Sequence, residues 1–282
     1  MSTTIITTME NTLRKIIGIA APARSGKDTV ASILLQHKNI ISYALADPLK
    51  IGCQALFGLT DAEAWDDNIK EQTIPLWGCS PRKLFQLVGT DWMREVTPDH
   101  WLKRSEHAFN PPGTHEINPI PPQLQDIKAP FKLSAKAFFG LSEQQTWDKD
   151  YYTIRDNFWN MTPEQMFDLL ESLSIQHFPE YYQQRAQRDI SRPSREIPHF
   201  GKNETIIIKD IRFENEAAFI RKQNGQVWHV VRDNAEKVNA HSSELGITFN
   251  DKDIIIDNNG TLEQLTIAVE KEWQSFSVQE TG

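Results

Sequence analysis

Apolar residues run in short unbroken blocks near both ends of the chain. Lys15 to Ala21 (KIIGIAA), Ile40 to Ala46 (IISYALA), Thr205 to Ile211 (TIIIKDI), Gln226 to Arg232 (QVWHVVR) and Asp253 to Asn258 (DIIIDN) each read as a strand covered on both faces. Between them the spacing turns helical. Val30, Ile33 and Leu34 follow the first block, Phe213 to Gln223 follow the third and end at Asn224-Gly225, and a last helix starts near Thr261. Strands alternating with helices predict an α/β fold with a five-stranded parallel sheet flanked by helices.

The middle has another texture. Asp47-Pro48 and Ser80-Pro81 each set a capping residue before a proline, which predicts helices starting there, while residues 58–80 read as irregular. Prolines 111, 112, 119, 121, 122 and 130 mark a loop or extended arm, and a further helix starts at Met161-Thr162-Pro163. The expected organisation is a loose tail over 1–14, a core of 15–104 and 201–282, and an insertion over 105–200, a Pro-rich arm followed by helices. Internal repetition is limited to a short echo between SPRKLFQLV and TPEQMFDLL, two similarly capped amphipathic helices.

Charge narrows the function classes. The 282 residues carry a net charge of −8, which argues against a binder of nucleic-acid polymers. Cys53 and Cys79 sit in no metal-ligand spacing and make no disulfide framework. No apolar stretch approaches the roughly 18–20 residues of a membrane span, and the N-terminal residues do not form a secretory signal. The expectation is a cytoplasmic protein with no membrane partner.

The chemistry starts after the first strand, at Ala21-Pro-Ala-Arg-Ser-Gly-Lys-Asp-Thr29. A phosphate-binding loop needs a residue without a side chain where the backbone curls, here Gly26, a helix N-terminus, and a mobile cation, here Lys27. The pattern G-x-x-x-x-G-K-[ST] is departed from twice, with Ala21 at the first glycine and Asp28 at the hydroxyl, although Thr29 follows. Asp210 ends an apolar strand, where an acid can orient Mg²⁺ or simply cap the next element, and Arg212 suits bidentate phosphate recognition.

The segments RSGKDT (24–29), LADPLK (45–50), RKLFQLVGTDWMRE (82–95), HWLK (100–103), KDIRFENEAAFIRKQNGQVWHVVR (209–232), HSSE (241–244) and DIIIDNNGTLEQL (253–265) resemble, in the same order, the bacteriophage-type deoxynucleoside monophosphate kinase family. They cover about half of the chain; 105–200 has no counterpart. The resemblance implies a P-loop kinase fold that transfers the ATP γ-phosphoryl group to a deoxynucleoside monophosphate, in host cytoplasm where the source is a phage. The Gly-Lys-Asp-Thr ending is itself similar to the family pattern.

On that reading, Arg24, Ser25, Gly26, Lys27, Asp28 and Thr29 hold the ATP phosphates, and Asp28, Asp210 or both hold Mg²⁺. Asp47 touches the acceptor or moves a proton, or serves only as a helix cap. Lys50, Arg82, Arg94 and Arg212 are candidates for the acceptor phosphate, with solvated surface charge as the alternative for each. Asp91 can read a base or sugar edge. Trp92 and Trp101 can stack on a base or belong to the core. Arg232 opens a polar stretch that can close over ATP, with His241 as a structural or lid residue, and Asn258 resembles the family's residue near adenine or marks a turn. The insertion is a candidate for homodimer contacts or for acceptor choice. Two other readings stay open: another small-molecule P-loop kinase, such as one acting on dephospho-coenzyme A, and a nucleotide-binding protein without catalysis.

Overall fold

The computed structural model describes residues 15–22, 24–110, 122–190, 193–198, 200–201, 204–233 and 247–278. In chain order the elements are β1 (Ile16–Ala20), α1 (Lys27–Leu34), β2 (Ile40–Tyr43), α2 (Asp47–Phe57), α3 (Asp61–Trp65), α4 (Pro81–Gln86), a π-helical stretch (Leu87–Trp92), α5 (Met93–Val96), α6 (His100–Phe109), α7 (Ala129–Phe139), α8 (Glu143–Trp147), a 3₁₀ turn (Lys149–Tyr151), α9 (Pro163–His177), α10 (Tyr181–Arg185), β3 (Thr205–Ile211), α11 (Glu214–Lys222), β4 (Gln226–Val231), β5 (Ile254–Asp257) and α12 (Leu262–Val278). They fall into two compact units, Met1–Ala44 with Phe200–Gly282, and Leu45–His199.

The first unit is the expected parallel sheet, in the order β2-β3-β1-β4-β5. All four pairings are parallel, with Ile17 opposite Ile207 on one side of β1 and Gln226 on the other. All five residues of β1 are buried, as a central strand requires. Ile17, Ile19, Val30, Leu34, Trp228 and Val269 form the core between sheet and helices. β3 spans its whole apolar block, and the other four strands are shorter than theirs by one to three residues, because Lys15, Ala21, Ala44 to Ala46, Arg232, Asp253 and Asn258 lie outside the strands. The turn after α11 also differs from expectation. Asn224, not Gly225, takes the left-handed conformation (φ 56°). A Cβ on Gly225 would lie 2.7 Å from the Ile16 carbonyl oxygen, so glycine is needed there for close approach.

The second unit is helical and aromatic. Phe57, Trp77, Trp92, Trp101, Phe138 and Tyr181 belong to one buried cluster. It takes in 45–104 as well as the stretch beyond. Residues 58–80, which read as irregular, contain α3, started by a reciprocal capping box. The Glu63 backbone N–H donates to Thr60 Oγ1 (3.2 Å) and the Thr60 N–H donates to Glu63 Oε2 (2.8 Å). Helix α2 begins one residue earlier than expected, with Ala46 at the cap and Asp47 inside the first turn, where the helix dipole favours a carboxylate. Among the described residues no helix is long and apolar enough to cross a membrane. The tail 1–14, much of the Pro-rich arm and the stretch 234–246 with His241 lie outside the described residues.

Candidate active site

In a parallel sheet all strands end on one edge, and the loops there collect function. The strand ends of the first unit carry most of the predicted donor-site residues: the loop after β1, Asp210 and Arg212 around the end of β3, Arg232 after β4 and Asn258 after β5. Ala20 pairs with Ile211, which sets the backbone of Asp210 beside the root of the loop.

The loop turns through two left-handed residues, Arg24 (φ 62°) and Gly26 (φ 98°), and then enters α1 at Lys27. A Cβ at position 26 would stand 2.2 Å from Asn258 Nδ2. That amide donates to the Ser25 carbonyl at 2.8 Å, so Asn258 pins the loop from the end of β5. Ala21, where the pattern has glycine, needs no positive φ and packs against the sheet core. Lys27 Nζ lies 3.3 Å from Asp28 Oδ2, and the Asp28 side chain is 80% exposed, a weak contact that a phosphate can displace. Thr29 is half-buried. The Ser25 hydroxyl is buried, with no hydrogen-bond partner among the described residues. Arg212 is exposed, and its backbone N–H donates to Glu216 Oε2 at 2.8 Å. Arg232 is exposed as well.

The predicted acceptor residues all lie in the second unit except Arg212. Lys50, on α2, sets its ammonium 4.7 Å from the Trp65 ring centre, and Arg195 covers the same ring at 4.1 Å. Burial lowers the Lys50 pKa, and the charges of Lys70 and Arg195 lower it further against the pull of Asp47 and Asp67. A chain of hydrogen bonds fixes Trp65. Its indole N–H donates to Gln54 Oε1 (3.2 Å), the Gln54 amide donates to Asp61 Oδ1 (2.8 Å), and Ser194 Oγ donates to Asp61 Oδ2 (2.6 Å). Arg82 pairs with Glu71, and Lys70 with Asp67. Asp91 is exposed and Arg94 half-buried on the π-helical stretch and α5. Trp92 and Trp101 sit in the core rather than on a surface. The Trp101 indole N–H donates to the Gly89 carbonyl (2.9 Å), its ring meets Phe138 edge-on, and the side chain is buried. Trp65, Lys70 and Arg195 were not anticipated. Trp65 lies in the stretch read as irregular, and Arg195 is far away in sequence.

The described residues contain no group of three or more His, Cys, Asp or Glu side chains arranged to hold a metal.

A family model described as deoxynucleotide monophosphate kinase matches residues 193–269, which run from the Trp65 cover through β3, β4, β5 and into α12. The deoxynucleotide monophosphate kinase of Escherichia phage RB69 is 34% identical over 265 residues, 91% of this chain and 98% of its own. That of Enterobacteria phage T4 is 26% identical over 260 residues, 89% of this chain and 95% of its own. A putative deoxynucleotide monophosphate kinase of Acanthamoeba polyphaga mimivirus is 26% identical over 252 residues, 88% and 91% of the two chains. With a parallel sheet, a phosphate-type loop at its strand ends and near full-length similarity to such a relative, the chain belongs to the deoxynucleotide monophosphate kinase family.

Proposed function

We propose that the protein transfers the γ-phosphoryl group of ATP to a deoxynucleoside 5′-monophosphate, giving ADP and the deoxynucleoside diphosphate. The observation that carries this reading is the loop at the start of α1. Left-handed Arg24 and Gly26 turn the backbone into a helix N-terminus, and Lys27 follows with the exposed Asp28 carboxylate beside it. An oxygen of the acceptor phosphate attacks the γ-phosphorus, and the bond to the β–γ bridging oxygen breaks, leaving its electrons on ADP. Such a reaction asks the protein mainly to position two anions and to spread their charge.

Arg24 to Thr29 cradle the donor phosphates, and Lys27 neutralises charge on the outer ones. Asn258 supports the loop through the Ser25 carbonyl. Arg232 lies at the ATP side, and Arg212 and Asp210 flank the reacting phosphates. Lys50, Arg82 and Arg94 serve the acceptor phosphate, with Asp47 and Asp91 as its polar neighbours. The exposed Asp28 carboxylate and the buried Ser25 hydroxyl are hard oxygen donors of the kind that Mg²⁺ takes, and Asp210 adds a second carboxylate. When bound, Mg²⁺ supplies positive charge to the β- and γ-phosphate oxygens.

The test is an assay of purified protein with ATP and Mg²⁺ against a panel of deoxynucleoside monophosphates, base-modified ones included, with products separated by anion exchange. Formation of a diphosphate with at least one of them is expected. Absence of product across the panel sinks the proposal.

A further inference from the structure

The echo between SPRKLFQLV and TPEQMFDLL is part of a longer one. Residues 47–88 and 129–170 align without a gap, matching Pro48 with Pro130, Gly52 with Ser134, Phe57 with Phe139, Gly58 with Gly140, Trp65 with Trp147 and Trp77 with Trp159. Beyond them the second stretch is one residue shorter, and Pro98, His100, Arg104 and His107 match Pro179, Tyr181, Arg185 and Arg188. The extra residue lies between Val88 and Pro98, and the first stretch is π-helical over Leu87–Trp92 where the second runs on as α9. The geometry repeats with the letters. α2 and α7 both end at a left-handed glycine, Gly58 (φ 64°) and Gly140 (φ 75°). Each is followed by a capping box, Thr60 with Glu63 and Ser142 with Gln145. The Trp77 indole N–H donates to the Phe57 carbonyl (3.0 Å), and that of Trp159 to the Phe139 carbonyl (2.7 Å). The helical unit contains one module twice.

Contacts between the two copies come in reciprocal pairs. α2 meets α7 at equivalent positions, where Ser134 Oγ donates to the Gly52 carbonyl at 2.9 Å. From the second copy, Arg185 Nε and Nη2 donate to the Ala55 carbonyl (3.2 and 3.1 Å), and the Tyr181 hydroxyl donates to that of Leu56 (2.6 Å). From the first, Arg104 Nε donates to the Ala137 carbonyl (2.8 Å), and His100 Nε2 lies 3.1 Å from the carbonyl oxygen of Phe138. Ala55 and Leu56 are the equivalents of Ala137 and Phe138, so each copy closes the C-terminus of the other's first helix with the same two positions. A Cβ on Gly58 would stand 3.0 Å from Arg185 Nη1, and one on Gly140 3.0 Å from Arg104 Cζ. Such exchange of equivalent contacts is the signature of a two-fold interface between like subunits, here within one chain. The last carbonyls of a helix have no partner inside it. A guanidinium meets both their hydrogen-bonding need and the negative end of the helix dipole.

The copies are not equal in chemistry. Lys50 and Arg82, assigned above to the acceptor phosphate, are matched by Lys132, which is 5% exposed and paired with Asp126, and by Glu164. Asp47 is matched by Ala129. We infer that the second copy is a fused partner subunit of the first, and that its Arg185 and Tyr181 are positioning residues for the reaction: they hold α2, the helix that carries Lys50, by its C-terminal end. Arg185 is 4% exposed and is itself fixed, since Nη1 donates to the Arg188 carbonyl (2.7 Å) and Nη2 to that of Asp189 (3.2 Å). Arg188 clasps the element after α2, with Nη1 and Nη2 on the Glu63 carboxylate (2.7 and 3.0 Å). The effect on the acceptor rests on the kinase reading above; the pairing of the copies does not.

Hydrogen–deuterium exchange of the full chain, read by mass spectrometry, tests the pairing without turnover. Tyr181→Phe keeps the ring and removes only the hydroxyl; exchange at the end of α2 should rise several-fold with α7 unchanged. Arg185→Met should raise it at least tenfold, and Arg104→Met should do the same to the end of α7 and spare α2. A rise spread equally over both helices, or none, overturns the inference. In the kinase assay Tyr181→Phe should raise KM for the monophosphate several-fold and Arg185→Met at least tenfold, with KM for ATP unaltered. Thr162→Ala, which removes the cap of α9 in the same copy, should lower the melting temperature and leave both KM values as they were. An unchanged KM for the monophosphate in Tyr181→Phe and Arg185→Met, or an equal rise in Thr162→Ala, overturns the positioning role. Tyr181→Phe keeps the test decisive should Arg185→Met not fold. If no monophosphate is turned over while the exchange pattern holds, the kinase reading falls and takes the positioning role with it, and the paired copies stand.

Discussion

Lys27 and Lys50 are held by opposite means. Lys27 starts a helix at the edge of a sheet, and its surroundings are built from backbone: two left-handed residues, a helix N-terminus and an amide tie from Asn258. Lys50 lies within a helix, and its surroundings are built from side chains: an indole ring, two further cations and a hydrogen-bond chain behind the ring. A site made of backbone is set by a few residues close in sequence. A site made of side chains is set by residues brought together from 50 to 195.

The contrast can be broken from either side. Lys27→Ala removes the one mobile cation of the backbone site, and turnover should fall by about 10³-fold or more, roughly 4 kcal/mol of transition-state stabilisation, with the melting temperature unchanged. A fall below tenfold would move the phosphate charge elsewhere.

The side-chain unit should be the acid-sensitive one. Burial depresses His100 and His107 to about 4, helped by the nearby Arg104, while the Phe138 carbonyl offsets part of this for His100. Between pH 6.5 and 4 the unfolded chain takes up protons that the folded one refuses, so stability is present at neutral pH and lost as pH falls through that window. At pH 5 the loss should be roughly 2 kcal/mol for each histidine. Denaturant titrations at pH 7 and 5, with His100→Gln and His107→Gln flattening the dependence, check this.

Gly52→Ala places a Cβ 2.0 Å from Phe138 Cε1, where α2 meets α7. It should cost about 1–3 kcal/mol by overpacking, read as a lower denaturation midpoint at constant slope. Asn258→Ala removes the tie to the Ser25 carbonyl and should cost about 1 kcal/mol, seen as a several-fold rise in KM for ATP. An unchanged KM would show that the loop holds its turn without β5.

Much of the first unit was legible because its signals are local. Ile206 to Ile208 are a buried strand wherever they occur in such a context, and Gly26-Lys27 between a strand and a helix announces a turn round an anion. Asn258 was found at the right edge, but the partner of its amide was not foreseeable, since the hydrogen bond joins residues 233 positions apart. In the second unit the caps at Ser80 and Thr162 were readable. The Thr60–Glu63 box was also present in the letters and was passed over because the apolar spacing around it is short. Trp92 and Trp101 show the limit of composition: an aromatic residue has the same letter in a core and over a base, and only its neighbours decide.

The sequence by itself determined the parallel α/β sheet and the loop at Ala21 to Thr29, because each depends on periodicity or on residues within one turn, and the order of its matching segments carried the resemblance to the kinase family. Tertiary structure decided that Asn258 braces the loop, that Trp101 is core, that Trp65 carries Lys50 and Arg195, and that α2 and α7 meet through Gly52 and Ser134. The reason is physical. Burial, cation–π contact and long-range hydrogen bonds are properties of distances between residues that the chain order leaves unspecified until the core has formed.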